Sequence, residues 1–318
     1  MTTYLHDGNL TLDNGIVGET WQVNTANPTT FYQAISQPEQ VEETKIYAQT
    51  FLPPGVDNPA VVIVVPGSMG VAPSHIYKAQ RLTQAGYGAC LIDPFGTRAV
   101  ESTVANQAQF SFAASAWDVL ATIDALTKEG RVDPKRIGTQ GHSRGGSAIL
   151  SAASMMKFTN FAGEMAGAYA AYPWCGQQFL NPQVGTTKVR SIVGDQDEWC
   201  LPQQVQGHMQ ALRLCGCDAS WQIIAGAHHS FDRDTPLELV VDASVAPGAP
   251  TIYIEDDGTS IHPTLGAAPI ETRERELMLY GIKAGYGKRG AHIGSQNNYA
   301  ELFHQDMMAF WENTFGAA

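Results

Sequence analysis

Cysteine is scarce in this chain, and the cysteines that are present do not form a pattern. Five occur in 318 residues, an odd number at irregular spacing, which argues against the disulfide framework of a small secreted domain. The N-terminal residues contain neither a basic segment nor the apolar core of a signal peptide. No stretch reaches the ~20 apolar residues of a membrane span. We therefore expect a cytoplasmic protein.

Positive charge is also in short supply. The chain has 19 Lys and Arg against 31 Asp and Glu, giving a formal net charge of -12 and a pI near 5.1. An acidic surface repels phosphate groups, so nucleic acid and anionic membranes are excluded as expected partners. Hydrophobic residues make up 44% of the sequence and charged residues 16%. This composition is that of a globular protein rather than a disordered one.

Short apolar runs alternate with segments of helical spacing along most of the chain. Strands are predicted at 60–65, 86–92, 136–140, 168–172, 189–193 and 221–224, and helices at 76–84, 112–126, 144–156, 205–214 and 299–315. Such alternation predicts an α/β fold, with a mostly parallel central sheet and helices on both faces. Residues 41–51 alternate weakly, which favours a strand at the edge of that sheet. We expect one domain over residues 1–318.

Two segments depart from the alternation. Residues 1 to about 40 are polar and turn-rich and are interpreted as an N-terminal extension. Residues from about 232 to 298 are interpreted as an insertion or arm over the sheet, with a hairpin that turns at Asp256, Asp257 and Gly258. Two roles are left open for the arm, which are shaping a pocket and contacting a second copy in a homo-oligomer.

The sequence from Gly141 to Gly145 matches the nucleophile elbow G-x-S-x-G, with Ser143 at its centre. The pattern alone also fits a glycine-rich turn with an inert serine. Its context is more specific, since a short strand precedes it and a helix rich in small residues follows. The elbow holds its serine in a strained backbone conformation, so glycines are needed beside it. We predict that Ser143 is a nucleophile.

A serine hydroxyl needs a base to accept its proton, and the base is commonly a histidine oriented by a carboxylate. In folds with this elbow the chain order is serine, acid, histidine. Three acids follow the strand at 189–193, namely Asp195, Asp197 and Glu198. We favour Asp197, which lies further into the loop, and expect Asp195 to brace the turn. Glu198 is the weaker alternative.

Two histidines, His228 and His229, follow the strand at 221–224. We favour His229 as the base and expect His228 to pack or to line the pocket. Paired histidines near Asp232 would also suit a metal, but no H-x-x-x-H or Cys/His spacing accompanies them. The sequence therefore predicts neither a metal site nor a cofactor.

An oxyanion hole requires two hydrogen-bond donors near the serine. The backbone N–H of Arg144, directly after the nucleophile, is the first candidate. The second is expected from the loop after the strand at 60–65, where Gly67 and Gly70 allow a close backbone approach. Ser68 is favoured for this role, with Met69 as the second choice.

Side chains that follow strand ends are candidates for a substrate pocket. Core packing would explain the tryptophans among them equally well, and a salt bridge would explain the arginine. Two cysteines at successive strand ends, Cys175 and Cys200, either pair or remain buried thiols. The candidate pocket residues are Met69, Phe95, Arg98, Trp174, Trp199 and His228.

Several segments together resemble the dienelactone hydrolase family. They are residues 93–98, 132–137, 141–146, 194–197 and 227–231, and the resemblance covers about 45–235 and the terminal helix. It implies the α/β-hydrolase fold, no cofactor, and a triad of Ser143, Asp197 and His229. Members that typify the family carry cysteine at the nucleophile position. The serine of this chain favours general ester hydrolysis over dienelactone as the substrate.

These observations predict a serine esterase that cleaves small to medium carboxylic esters through an acyl-enzyme intermediate. The same motifs fit a thioesterase, a lactone hydrolase, a peptidase or an acyltransferase. A binding protein built on a hydrolase fold is a third hypothesis, which an ordered set of Ser, Asp and His does not favour.

Overall fold

The centre of the structure, a computed structural model that describes residues 3–316, is an eight-stranded sheet. The strands are β1 (Glu19–Ala26), β2 (Glu43–Phe51), β3 (Val61–Val65), β4 (Gly88–Asp93), β5 (Ile137–His142), β6 (Gly167–Ala171), β7 (Gln177–Phe179), β8 (Lys188–Gly194), β9 (Ala219–Ile224), β10 (Glu238–Val245), β11 (Ile252–Ile254), β12 (Ser260–His262), β13 (Gly266–Ala267) and β14 (Lys288–Ile293). The α-helices are α1 (Phe31–Ser36), α2 (Pro73–Gln84), α3 (Phe112–Glu129), α4 (Arg144–Met155), α5 (Pro202–Leu214), α6 (Glu274–Lys283) and α7 (Tyr299–Phe315).

The central sheet has the strand order β1-β2-β4-β3-β5-β6-β8-β9. Strands β3 to β6, β8 and β9 run parallel, and β1 and β2 are antiparallel at one side. Strands β3 to β6 are buried along their whole length, which explains why they appear in the sequence as short runs without alternation. All the parallel strands end at one edge of the sheet, and ligand sites in such sheets lie along that edge.

Helices cover both faces of the sheet, as predicted. Helices α3 and α4 pack against each other on one face. On the other, α2 meets α7 where the rings of Tyr77 and His304 stack edge to face. Trp311 of α7 lies against β5 and donates a hydrogen bond from Nε1 to Gln140 Oε1 at 2.9 Å. Gly138 permits this approach, because a Cβ there would lie 2.4 Å from the indole ring.

The edge of the sheet differs from the prediction. Strand β2 was expected at the edge, but β1 pairs with its outer side from Glu19 to Ala26. The N-terminal region therefore contributes a strand and the helix α1 to the fold. Strand β1 is largely polar, and its buried residues lie toward its C-terminal end without regular alternation, so its apolar periodicity is weak. The side chain of Trp21 fixes it by donating to Thr50 Oγ1 at 2.9 Å.

The segment after His229, interpreted from the sequence as an insertion or arm, contains strands β10 to β14 and helix α6, and is called the arm below. Strands β11 and β12 make the predicted hairpin around Asp256, Asp257 and Gly258, and Gly258 has the positive φ of 90° that its tight turn requires. Strand β11 also pairs with β7, and β12 with β13, in a four-stranded sheet. Strands β10 and β14 form a separate two-stranded sheet. Between residues 3 and 316, no helix has the length and apolar character needed to cross a bilayer.

Candidate active site

Ser143 lies at the sharp turn between β5 and α4. Its backbone has φ of 54° and ψ of -116°, a conformation that costs free energy for a residue with a Cβ. Two backbone hydrogen bonds secure the turn, from Ser143 N to Ala171 O and from Ser147 N to Ser143 O, both 3.0 Å. The strain is thus held by the sheet on one side and by the helix on the other.

Close backbone packing explains the glycines of the elbow. A Cβ on Gly141 would lie 2.1 Å from the carbonyl oxygen of Gly145. A Cβ on Gly145 would lie 2.4 Å from the carbonyl oxygen of Val65 at the end of β3. Both distances are far inside van der Waals contact, so no other residue fits at either position without moving the backbone.

Asp197 and His229 meet in a buried hydrogen bond. His229 Nδ1 lies 2.7 Å from Asp197 Oδ2, and both side chains are almost fully buried. The other carboxylate oxygen, Oδ1, accepts the backbone N–H groups of Trp199 at 2.8 Å and Cys200 at 2.9 Å. The carboxylate is therefore fixed from two sides. A carboxylate on Nδ1 favours the tautomer that leaves Nε2 able to accept a proton.

The two alternative acids have other partners. Asp195 Oδ1 accepts the backbone N–H of Gly226 at 2.7 Å and so braces the turn after β9. Glu198 points away from His229 and binds Lys288 and His292. Of the three acids, Asp197 is the one that the structure brings to His229.

Aromatic rings fix the imidazole of His229. Trp199 stacks on it with ring centroids 5.3 Å apart and an interplanar angle of 18°. Tyr172 packs edge to face at 4.7 Å, and its hydroxyl donates to Asp232 Oδ1 at 2.5 Å. Asp232 in turn forms a buried ion pair with Lys78. Sequence analysis missed Tyr172 and Lys78; the position of Tyr172 directly after β6 was the one available signal.

Ser143 and His229 border the same small cavity, of about 20 Å³. Within the described chain, Ser143 Oγ has no hydrogen bond to His229 and instead lies 3.9 Å from Cys200 Sγ. Serine–histidine contacts are often long without substrate and tighten in the complex. Burial, reinforced by the charge of Asp197, raises the pKa of the Cys200 thiol well above its usual value. Cys200 and Cys175 are both buried free thiols.

The two predicted oxyanion segments flank Ser143. Arg144 begins α4, where the first N–H groups of a helix lack partners within the helix. Ser68 lies in the loop after β3 and borders both cavities that contain Ser143, whereas Met69 borders the smaller one. The Ser68 hydroxyl donates to Gln107 Oε1 at 3.1 Å, and this hydrogen bond fixes the position of its side chain.

The side chain of Arg144 has a structural role that sequence analysis did not foresee. Its guanidinium donates to the carbonyls of Phe110 at 2.6 Å and Ser111 at 3.0 Å. It also lies between two rings, 4.3 Å from the centroid of Phe110 and 4.1 Å from that of Phe112. Burial lowers its pKa to about 9. These contacts tie the loop before α3 to the elbow.

A larger cavity of about 480 Å³ opens from Ser143. Two of the candidate pocket residues, Trp174 and Trp199, line it. The arm forms much of the opposite wall, so the structure places the arm at the pocket. Its apolar contributions include Val245, Ile252, Leu277, Met278, Tyr280 and Ile282.

Glu274 anchors the arm beside this cavity. Its buried carboxylate accepts the backbone N–H groups of Phe112 at 2.7 Å and Ala113 at 3.1 Å, which caps the N-terminus of α3. Burial raises the pKa of Glu274 to about 7. No local sequence signal links Glu274 to a helix that begins 162 residues earlier.

Three predicted pocket residues lie elsewhere. Neither described cavity is lined by Phe95, Arg98 or His228. Phe95 is buried against Phe110. Arg98 forms a buried two-pronged ion pair with Asp118 of α3. His228 turns toward His292, with ring centroids 5.7 Å apart. A residue at a strand end lies near the carboxyl edge of the sheet, but the direction of its side chain depends on the groups packed around it.

A strained serine on a strand–helix turn, beside a buried Asp–His pair on the same sheet edge, defines the architecture of an α/β-hydrolase. The model of the dienelactone hydrolase family matches residues 46–246. The chain therefore belongs to the dienelactone hydrolase family, and its class is that of a hydrolase. The family predicted from sequence is thus confirmed. A search of curated proteins found no match.

At least one solved structure shares the fold. A protein named m3DLH is 16% identical, with a TM-score of 0.52 over 84% of this chain and 97% of the other. An esterase from the Planctomycetes species Thermogutta terrifontis is 14% identical, with a TM-score of 0.47 over 59% of this chain and 81% of the other. Est1E from Butyrivibrio proteoclasticus is 16% identical, with a TM-score of 0.44 over 58% and 86%.

Proposed function

We propose that the protein is a carboxylic ester hydrolase that acts through Ser143, His229 and Asp197. The observation that supports this most is the buried hydrogen bond of 2.7 Å between Asp197 and His229, together with a cavity that both His229 and Ser143 border. The residues occur in the chain order of this fold, and each follows a different strand of the parallel sheet. Esterase activity is also named for the Thermogutta terrifontis structure.

In the proposed reaction, His229 Nε2 accepts the hydroxyl proton of Ser143 as Oγ bonds to the ester carbonyl carbon. The negative charge that develops on the carbonyl oxygen is stabilised by the backbone N–H of Arg144 and by one from Ser68, or from Met69. His229 then protonates the leaving alcohol as its C–O bond breaks. Water, deprotonated by the same histidine, then attacks the carbonyl carbon of the acyl-enzyme. His229 returns this proton to Ser143 Oγ as the bond between Oγ and the acyl carbon breaks and the acid is released.

Ser143 is proposed as the nucleophile in preference to its neighbour Cys200, although typical family members use cysteine. Only the thiolate form of cysteine is strongly nucleophilic. The raised pKa of Cys200 keeps its thiol protonated, and the thiol lies within the loop that holds Asp197. Ser143 instead occupies the elbow position, at the start of α4.

The size and lining of the larger cavity favour an ester substrate with an apolar or aromatic group. Its volume of about 480 Å³ falls within the usual range for small-molecule sites. Trp174 stacks on Phe112 at 4.6 Å and offers a flat apolar surface near Ser143. We therefore expect esters with a hydrophobic acyl or alcohol portion to be better substrates than short acetates.

The test compares wild type, Ser143→Ala and Cys200→Ala on p-nitrophenyl esters of increasing acyl length. Each protein is also treated with a fluorophosphonate, and the adduct is mapped by mass spectrometry. We expect Ser143→Ala to lose both turnover and labelling, and Cys200→Ala to keep both. Full activity in Ser143→Ala contradicts the proposal, and an adduct on Cys200 assigns the nucleophile to the thiol.

The reaction class is tested separately. Matched esters, thioesters, lactones and amides that share an acyl group are compared by kcat/KM. We expect the ester to give the highest value. A thioester or lactone that exceeds it by tenfold or more would replace the ester assignment while leaving the proposed triad in place.

A further inference from the structure

Three side chains with metal-binding atoms lie together in and beside the loops that carry Asp197 and His229. They are Glu198, His228 and His292, and they come from three segments of the chain. Glu198 follows the proposed acid Asp197 in sequence, and His228 precedes His229. His292 comes from β14 of the arm. The proposed reaction uses none of the three.

The geometry of the group suits a shared ligand. One ligand atom from each side chain lies within 4.8 Å of the other two. Glu198 Oε2 and His292 Nδ1 are 2.7 Å apart. Nδ1 of His228 is buried and has no hydrogen-bond partner in the described chain. A buried imidazole nitrogen without a partner costs free energy, and a metal ion bound through that nitrogen would supply the missing partner.

We propose that Glu198, His228 and His292 bind a divalent transition metal, with Zn²⁺ as the expected ion. Two imidazoles and one carboxylate are common zinc ligands, with water completing the tetrahedron. Tetrahedral ligands at about 2.1 Å from zinc lie about 3.4 Å apart, so Glu198 Oε2 and His292 Nδ1, which are 2.7 Å apart, must separate slightly to admit the ion. The partial exposure of Glu198 and His292, at 30% and 43%, allows that movement.

The positive charge of Lys288 is expected to lower the affinity of the proposed site for a metal ion, and this effect can be tested. Its Nζ lies 3.0 Å from Glu198 Oε1, where its positive charge disfavours a cation on the same carboxylate. Removing this charge without removing a ligand, as in Lys288→Met, should tighten metal binding. A cation site distant from Lys288 would not respond in this way, because the lysine charge is screened beyond about 10 Å.

The ion would join the loops of the triad to the arm. Strand β14 already contacts both loops, because Trp199 Nε1 donates to His292 O at 2.8 Å and Gly294 N donates to His229 O at 2.9 Å. A bound metal would add a bond from each loop to β14. Because it binds the folded chain more tightly than the unfolded one, it should raise Tm.

The experiment titrates metal-stripped protein with Zn²⁺ by calorimetry and follows Co²⁺ binding by visible absorption. We expect one ion per chain in wild type. His292→Ala and Glu198→Gln should each weaken binding by at least about tenfold and abolish the rise in Tm with Zn²⁺. Glu198→Gln keeps the side-chain shape, so it serves if His292→Ala fails to fold. Lys288→Met should bind more tightly than wild type.

Two controls separate this site from others. His6 also pairs with a carboxylate, Asp7, at 3.4 Å, but belongs to no group of three potential ligands among residues 3–316, so His6→Ala should bind as wild type does. Asp197, Cys200 and His229 also have ligand atoms within 4.8 Å of one another. If Cys200→Ser loses the ion while His292→Ala keeps it, the ion lies in the triad and the proposal fails. It also fails if wild type binds no ion, or binds no better than Glu198→Gln.

Discussion

The substitution Asp197→Asn tests the proposed triad without altering its shape. In wild type, Asp197 Oδ1 accepts two backbone N–H groups and Oδ2 accepts from His229. The asparagine oxygen should keep the two backbone donors, because the flipped amide would face them with its own N–H groups and lose both bonds. The asparagine NH2 then points at His229 Nδ1 and donates to it.

That hydrogen bond reverses the tautomer of His229. With Nδ1 as acceptor, the proton of the neutral ring moves to Nε2, which can no longer accept the Ser143 proton. The same change in a serine protease triad lowers kcat by about 10⁴-fold, which corresponds to roughly 5 kcal/mol of activation free energy. We expect a loss of this size here, with Tm little changed because the packing and two of the hydrogen bonds remain.

The assay is kcat/KM for a p-nitrophenyl ester, with Tm measured on the same preparations. Asp195→Asn is the matched control, since Asp195 is an exposed acid two residues away that accepts hydrogen bonds from Gly226 and Gln196 and not from His229. It should retain nearly full activity. If Asp197→Asn keeps more than about a tenth of kcat/KM, the tautomer argument is refuted. An equal loss in Asp195→Asn would assign the effect to the loop rather than to the Asp–His pair.

Three further predictions concern the packing around the site. Glu274 has a pKa of about 7 against an ordinary value of 4.5, so its contribution to stability is full below about pH 4.5 and is lost as pH rises through 7. The free energy lost over this pH range is roughly 3 kcal/mol. Tm should therefore depend less on pH in Glu274→Gln than in wild type, and an unchanged profile contradicts the assignment. Gly145→Ala places a Cβ 2.4 Å from Val65 O and should lower the free energy of unfolding in urea by about 3 kcal/mol or more. The control Gly207→Ala lies in open space on α5 and should raise the free energy of unfolding by up to about 1 kcal/mol. Arg98→Ala leaves the buried carboxylate of Asp118 without its ion-pair partner and should lower the free energy of unfolding by about 3–5 kcal/mol, with no change in the preference between acidic and neutral esters. A selective loss of activity on acidic esters would show that Arg98 contacts the substrate.

The strands and helices of the parallel sheet were predictable because their signals are local. A short β-branched run such as Val61–Val65 is buried on both faces and needs no partner to be recognised. Helix α7 likewise has apolar spacing along its whole length. Strand β1 was missed because an edge strand with polar residues on both sides gives little periodicity. Its position depends on pairing with β2, which lies 17 or more residues further along the chain.

The triad candidates were predictable for a topological reason. Right-handed crossovers bring the carboxyl ends of all parallel strands to one edge, so residues just past β5, β8 and β9 converge there. The pocket was less predictable. Arg98 follows a strand end in the same way, yet a buried carboxylate on α3 holds it in the core.

The sequence by itself determined the α/β class, the elbow at Ser143 and the segments that carry Asp197 and His229, because short-range patterns and chain order encode these features. Only the tertiary structure shows that Asp197 is the acid that contacts His229, that Glu274 holds the arm beside the cavity, and that Glu198, His228 and His292 lie together. His292 illustrates the difference, since it lies 63 positions after His229 with no motif to link them. Contacts of that kind depend on how separate elements pack, and neither spacing nor composition records that packing.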